Sequence, residues 1–134
     1  MSQENVELVR SIFAAWERAD LHYVDWADPE IEFVIADGPS PDSAKGLAGM
    51  SAAMREFLGA WQEWRVEADD YRALDDERVL VLQHFIARGK TSGAELDGLW
   101  ANGANLFHIR DGKVTRLVCY FDRERALEAV GLRE

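Results

Sequence analysis

Cys119 is the single cysteine among the 134 residues of this sequence. A cysteine attacks as the thiolate, so a nucleophilic role needs a nearby cation or base that lowers its pKa. The sequence fixes no such group beside Cys119, and an inert, buried thiol is the competing interpretation. One cysteine forms no intrachain disulfide, and no Cys and His residues are spaced like zinc ligands. We therefore predict no metal site.

A second set of residues offers acid–base chemistry: His84, His108, Tyr120 and Asp122. If these side chains face the interior of a sheet, they form a His–Asp–Tyr cluster suited to proton transfer. If they face outward, His84 and Tyr120 lie on the outer surface and Asp122 caps a helix. A slip of one residue or a β-bulge interchanges the two faces of a strand, so both arrangements stay open.

Length and charge limit the class of protein. A chain of 134 residues that is 48% hydrophobic fits one domain, residues 1–134, with a real core. The net charge of −10 argues against nucleic acid and anionic membrane surfaces as partners. The acidic N-terminus lacks an apolar signal core, and no apolar run approaches the roughly 18 residues that span a bilayer. A reducing cytoplasm is therefore the expected location.

Three helices are predicted before and beside the first strand. Residues 4–19 carry apolar side chains at helical spacing, and a second, short helix ends before Pro29. The third helix, over residues 47–63, has a broad apolar face that includes Met54 and Trp61.

The first strand is predicted at residues 30–35, where Ile31, Phe33 and Ile35 alternate with other residues and point inward. A loop follows over residues 37–46 and is rich in glycine and proline. Such a loop often borders a pocket. Asp37 within it is a turn residue in the simplest interpretation, or a ligand contact in the alternative.

The second half of the chain is predicted to be mostly β-structure. Asp111-Gly112 indicates a two-residue hairpin, because a type I′ turn needs positive φ at both central positions. Asp122 can cap a last short helix, and Gly131 can end it. The four predicted strands lie near residues 65–74, 79–90, 95–110 and 113–122.

Several short segments are typical of one family of domains. They are Ala19-Asp20, Trp26–Glu30, Arg110–Val114, Tyr120–Arg123 and Ala126–Leu132. With the element order ααβαββββα they resemble the SnoaL-like branch of the nuclear transport factor 2-like (NTF2-like) superfamily over nearly the whole chain. The resemblance implies an α+β fold: a cone-shaped, curved antiparallel sheet covered by helices around a central pocket.

The same resemblance implies a homodimer formed through the outer sheet face and no obligatory cofactor. Residues Leu82, Ile86 and Trp100 would be the first surface to test for that dimer. Members of the superfamily include polyketide cyclases, limonene epoxide hydrolases, ketosteroid isomerases and scytalone dehydratases. The fold alone therefore does not determine the activity.

The catalytic positions of these relatives carry uncharged residues in this sequence. The last-strand carboxylate of the epoxide hydrolases corresponds to Cys119, and their Arg and Asp correspond to Gln83 and Phe85. The isomerase base falls near residues 33–34, and the isomerase's acidic hydrogen-bond donor falls near Asn105. Neutral side chains cannot supply a general base, so the usual forms of these activities are not expected.

With odd-numbered residues of the strands facing inward, the predicted pocket is apolar with a few neutral polar groups. Buried Gln83 and Asn105 must then pair with each other, with the backbone or with a ligand. Such a pocket suits a small apolar or aromatic ligand. The predicted lining residues are Trp26, Phe33, Met54, Trp61, Gln83, Phe85, Asn105, Phe107, Leu117, Cys119 and Phe121.

Two functions follow from these observations. The first is a homodimeric pocket protein that binds a small hydrophobic molecule without turning it over. The alternative is a small-molecule enzyme of polyketide cyclase, dehydratase or isomerase type that uses His84, Tyr120 and Asp122.

Overall fold

A six-stranded sheet organises the protein, and it is seen in a computed structural model that describes residues 2–18, 20, 24–37, 42–58, 61–89 and 98–131. Within these residues there are three helices and six strands. They are α1 (Ser2–Glu17), β1 (Ala27–Ile35), β2 (Asp42–Lys45), α2 (Gly46–Leu58), β3 (Trp61–Ala73), β4 (Arg78–Gly89), β5 (Gly98–Arg110), β6 (Lys113–Tyr120) and α3 (Arg123–Ala129).

The strand order across the sheet is β2-β1-β6-β5-β4-β3. Neighbouring strands are antiparallel except β1 and β6, which pair in parallel. The parallel pair joins β1, near the start of the chain, to β6, the last strand. Strands β1 and β2 therefore extend the sheet that the later strands β3 to β6 form. The sheet is curved and unclosed, and the predicted α+β class is confirmed.

Side chains alternate between the two faces of the sheet, as the pleat requires. On β4, the odd-numbered Val79, Val81 and Phe85 join the larger apolar cluster together with residues of α1. The even-numbered Leu80 and Leu82 join a smaller cluster with residues of α3. We call the first side the inner face and the second the outer face. The odd-inward alternation predicted for β4 is therefore the one observed.

The outer face is less accessible than predicted. Leu82 is 4% exposed because it packs in the smaller cluster with Ala126 and Leu127 of α3. It is therefore unavailable for the dimer contact proposed from the sequence. Ile86 is half-buried, and the side chain of Trp100 lies outside the described residues.

Helix α2 ends at Leu58, so the prediction that it continues to residue 63 was wrong. Trp61 is the first residue of β3 and pairs with Gly89 of β4. Aromatic residues favour strands, and here the pairing with β4 outweighs a spacing that also fits a helix. The prediction of a loop throughout residues 37–46 was also wrong in part, because Asp42–Lys45 forms edge strand β2.

The predicted second helix falls partly outside the described residues, namely at positions 21–23. The described part, Val24 to Trp26, forms a turn in which the Ala27 amide donates to the Val24 carbonyl at 3.0 Å. This turn leads directly into β1.

The local signals near the C-terminus are confirmed. Asp111 and Gly112 both have positive φ, 52° and 76°, in the two-residue turn between β5 and β6. The Asp122 side chain accepts a hydrogen bond from the Glu124 amide at 3.0 Å and so caps α3. Gly131 follows α3 with a φ of 78°.

Gly103 is required where β5 approaches the end of β6. An added β-carbon there would lie 2.1 Å from the Tyr120 carbonyl oxygen. We expect Gly103→Ala to lower the free energy of unfolding by at least about 2 kcal/mol, because backbone must move. Gly112→Ala, which meets open space but strains a positive φ, should cost only about 1 kcal/mol. Urea denaturation of both variants checks this, and equal losses would contradict it.

Candidate functional site

A cavity of about 90 Å³ lies against the inner face, between the sheet and helices α1 and α2. Every strand from β3 to β6 contributes to its wall, as does β1. The described lining residues are Trp16, Phe33, Ile35, Met54, Trp64, Val66, Gln83, Phe85, Gly103, Asn105, Cys119, Tyr120 and Phe121.

Seven of the residues predicted for the pocket line this cavity: Phe33, Met54, Gln83, Phe85, Asn105, Cys119 and Phe121. Three others lie deeper. Trp26, Phe107 and Leu117 are at most 2% exposed and belong to the core below the cavity. The Trp61 side chain lies outside the described residues.

Trp16 separates the cavity from the deeper core. Its ring lies 6.1 Å from that of Trp26 and 6.2 Å from that of Phe107, measured between centroids. Trp16 belongs to the apolar stripe of α1, so helical periodicity marked it as buried without marking it as a cavity residue. Trp64 was missed because β3 begins four residues before its predicted start. Val66 lies within the predicted strand, but its face was not assigned to the pocket.

Two aromatic side chains, Phe85 and Phe121, pack together in the cavity wall. Phe85 and Phe121 meet edge to face, with ring centroids 5.7 Å apart. Pairs of this geometry add stability beyond the area that they bury. This part of the wall is thus preformed and apolar.

A pair of amides forms the polar part of the wall. Asn105 Nδ2 donates to Gln83 Oε1 at 2.6 Å, and both residues are buried. The two strands carry them to the same face because Asn105 lies opposite Val81, two residues from Gln83. Of the alternatives open from the sequence, the amides pair with each other. Asn105 Oδ1 has no hydrogen-bond partner in the described part of the chain, and leaving such a group unpaired costs roughly 1–3 kcal/mol.

Cys119 lies opposite Asn105 on β6 and lines the same cavity. Burial, together with the smaller effect of the negative charge of Asp37, raises the pKa of the Cys119 thiol to about 12. A thiol with such a pKa is protonated at neutral pH. The structure therefore favours the inert thiol over the nucleophile.

Asp37 stands behind this part of the wall and is not among the described lining residues. Its Oδ1 accepts a hydrogen bond from the Phe121 amide, and its Oδ2 lies 3.8 Å from Arg125 Nε. The side chain is only 11% exposed. Asp37 therefore holds the end of β6 against the end of β1.

The alternative acid–base set is not assembled at the cavity. His84 lies on the outer face, where Nδ1 is 2.9 Å from Asp69 Oδ1 and Nε2 is 3.2 Å from Glu67 Oε1. Asp122 caps α3. Tyr120 is the one member that contributes to the cavity wall, and it also packs against the smaller, outer cluster.

His108, the other histidine of that set, lies opposite Arg78 and Arg116 on the neighbouring strands. Burial lowers the pKa of His108, and the charges of Arg116 and Arg78 lower it further. It contributes to a polar surface cleft rather than to the inner-face cavity.

Arg123 connects the outer cluster to the backbone of the cavity wall. Its Nη2 donates to Asp69 Oδ2 and to the Gln83 carbonyl, both at 2.9 Å. Its Nε donates to the Gly103 carbonyl at 3.5 Å. Gln83 and Gly103 are paired across β4 and β5, so one guanidinium spans the two strands that carry the cavity amides.

Ionic groups are missing from the cavity as far as it is described. Among its described lining residues there is no Asp, Glu, His, Lys or Arg. Across all described residues, no three His, Cys, Asp or Glu side chains are grouped so that they could hold a metal ion. None of the helices in the described ranges is long and apolar enough to cross a membrane.

A model of the SnoaL-like domain matches residues 9–117, which is most of the chain. The chain belongs to the SnoaL-like domain family. No curated protein matches this member of the family.

Solved structures show the same fold at low sequence identity. TerC, crystallised with polyporic acid, is 19% identical with a TM-score of 0.74, over 96% of this chain and 98% of that one. An NTF2-like protein of unknown function from Burkholderia pseudomallei is also 19% identical, with a TM-score of 0.76 over 95% and 97% of the two chains. These structures confirm the predicted fold, and the match over residues 9–117 confirms the predicted SnoaL-like family.

A third structure, a protein of ketosteroid isomerase-like fold from Catenulispora acidiphila, was determined in complex with trimethylamine. It is 15% identical to this SnoaL-like protein, with a TM-score of 0.69, and the alignment covers 95% of this chain and 94% of that one. At such identities the similarity establishes the fold alone.

The amide pair allows a test by double-mutant cycle. Gln83→Leu alone should lower the free energy of unfolding by roughly 1–3 kcal/mol, because it leaves buried Asn105 Nδ2 without its acceptor. Gln83→Leu/Asn105→Leu should recover most of that loss, since both polar partners are removed together. Urea denaturation of the wild-type protein, Gln83→Leu, Asn105→Leu and the double variant completes the cycle. Additive losses in the double variant would show that the two amides are not coupled.

The Cys119 thiol allows a test by pH. Its alkylation by iodoacetamide at pH 8 should be about a thousandfold slower in the native protein than in urea, because the thiolate fraction falls tenfold per unit of raised pKa. The native rate should continue to rise well above pH 9, whereas the rate of the unfolded chain levels off there. A native rate that levels off near pH 9 would contradict the raised pKa. The Cys119→Ala variant, which has no thiol, is the control for alkylation at other residues.

Proposed function

We propose that this SnoaL-like protein binds a small apolar or aromatic molecule in its inner-face cavity and does not transform it. The observation that carries this proposal is the composition of the wall. Nine of its described residues are apolar or aromatic, and the other four are two amides, a glycine and the protonated Cys119 thiol. Preformed apolar cavities with a few fixed polar groups are the usual form of small-molecule sites.

The size of the cavity limits the ligand. An apolar cavity of about 150 Å³ is known to hold benzene, whereas the cavity here measures about 90 Å³. A single ring fits with small side-chain adjustments, and a second ring would extend towards the opening. Met54 on the wall is suited to such adjustment because its unbranched side chain adapts to irregular shapes.

Absence of a tuned base supports binding over catalysis. Proton abstraction needs a side chain with a pKa near the working pH. The described wall offers two amides, a tyrosine and a thiol whose pKa is raised to about 12. The alternative enzyme would use His84 and Asp122, which lie away from the cavity, so no observation favours it.

Relatives of the same fold support a ligand-binding role. TerC was crystallised with polyporic acid, and the Catenulispora protein was determined in complex with trimethylamine. The fold therefore holds small molecules of differing chemistry, and the residues of each cavity select among them.

We further propose that the protein forms a homodimer through the part of the outer face that α3 leaves uncovered. Of the three residues named from the sequence for this surface, Ile86 is the one whose side chain is described and not covered by α3. It is half-buried within one chain. A reducing cytoplasm suits the single cysteine, which forms no intrachain disulfide.

Binding can be tested with toluene, a single-ring apolar probe. We expect saturable binding at one site per chain with a dissociation constant of roughly 1 mM, as expected for seven heavy atoms at moderate ligand efficiency. The measurement is a titration followed by ¹H–¹⁵N NMR, in which the shifted amides should be those of lining residues.

A matched pair of variants makes this test specific. Cys119→Phe fills the cavity and should abolish toluene binding, whereas Arg116→Phe places the same side chain at an exposed position of the same strand and should preserve it. Circular dichroism verifies that both variants are folded. Toluene shifts that persist unchanged in Cys119→Phe would refute the site.

A further inference from the structure

Asn105 Oδ1 is an acceptor without a donor at the wall of the cavity. The residue is 3% exposed and is one of the lining residues. Its Nδ2 is already used by Gln83 Oε1 at 2.6 Å, so the amide cannot turn without losing that bond. The remaining oxygen finds no partner among the described residues.

The surrounding wall does not meet this need. Cys119 lies directly opposite Asn105, yet its thiol is a weak donor and forms no hydrogen bond with Oδ1. The nearest residues along the inner face of β4 and β5 include Val81, Phe85 and Phe107, whose side chains carry no donor. A buried carbonyl in such surroundings is stabilised most by a donor that arrives with a ligand.

We infer that the ligand is a neutral aromatic molecule with one hydrogen-bond donor, a phenolic O–H or an indole-type N–H, which donates to Asn105 Oδ1. This inference rests on the proposed function and specifies the chemistry that the cavity selects. The ring contacts the aromatic wall, and the donor satisfies the amide oxygen.

Charged ligands are excluded by the same geometry. A carboxylate offers only acceptors and would face Oδ1 without a cation among the described lining residues. An ammonium ion would lose its hydration without an acidic partner among them. Neutral donors are therefore preferred.

Indole and benzofuran provide the test, because they have nearly the same shape. Indole has an N–H donor where benzofuran has a ring oxygen, which is a weak acceptor. We expect indole to bind the wild-type protein about fivefold to tenfold more tightly than benzofuran, the effect of one added neutral hydrogen bond. Both dissociation constants are measured by NMR titration of the full chain.

The variant Gln83→Leu/Asn105→Leu removes the acceptor and its partner together, so it keeps the cavity apolar. We expect it to bind indole and benzofuran with equal affinity. Asn102→Ala, at an exposed position on the same strand as Asn105, should keep the wild-type preference. Thermal unfolding verifies that each variant is folded.

The outcomes separate this inference from the proposed function. Equal affinities in the wild-type protein, or tighter binding of benzofuran, would overturn the inference and leave the proposed function intact. A preference for indole that survives in the double variant would also overturn it. Failure of toluene, indole and benzofuran alike to bind would overturn both.

Discussion

Alternation of side chains along three adjacent strands determines what the cavity contains. On β4, β5 and β6, the inner face receives Gln83, Asn105 and Cys119, while the outer face receives His84. Helices cover both faces, so a slip of one residue would exchange two packed surfaces at once. It would also move His84 away from its carboxylate partners and into an apolar core. The register is therefore held from both sides, and the neutral character of the cavity follows from it.

Features that depend on neighbours in the chain were predictable from the sequence. The Asp111-Gly112 turn, the Asp122 cap and the odd-inward alternation of β4 need only local chemistry or the period of a strand. Trp61 was not predictable, because its position fits the spacing of the preceding helix as well as a strand. Its pairing with Gly89, far along the chain, decides between them.

The site was predictable only in part, because the sequence pattern does not show how deep in the core an inward-facing residue lies. Alternation assigns a residue to a face but does not say whether it lies beside the cavity or beneath it. Phe107 and Leu117 face inward as expected, yet buried Trp16 from α1 lies between them and the cavity and forms its wall. Likewise, Gln83 and Asn105 were expected to need partners, but their mutual bond depends on the stagger between β4 and β5. Such long-range geometry has no local signal.

The guanidinium of Arg123 gives the sheet a property that neither face has alone. It is bound to Asp69 on the exterior and to the main-chain oxygen of Gln83, whose side chain enters the interior. The Gln83 residue thus connects the Arg123–Asp69 ion pair, through its main-chain carbonyl, with the cavity that its side-chain amide lines. A change that displaces Arg123 would also remove its hydrogen bond to the Gln83 carbonyl. The ion pair on the outer face and the amide at the cavity are therefore connected through one residue of β4.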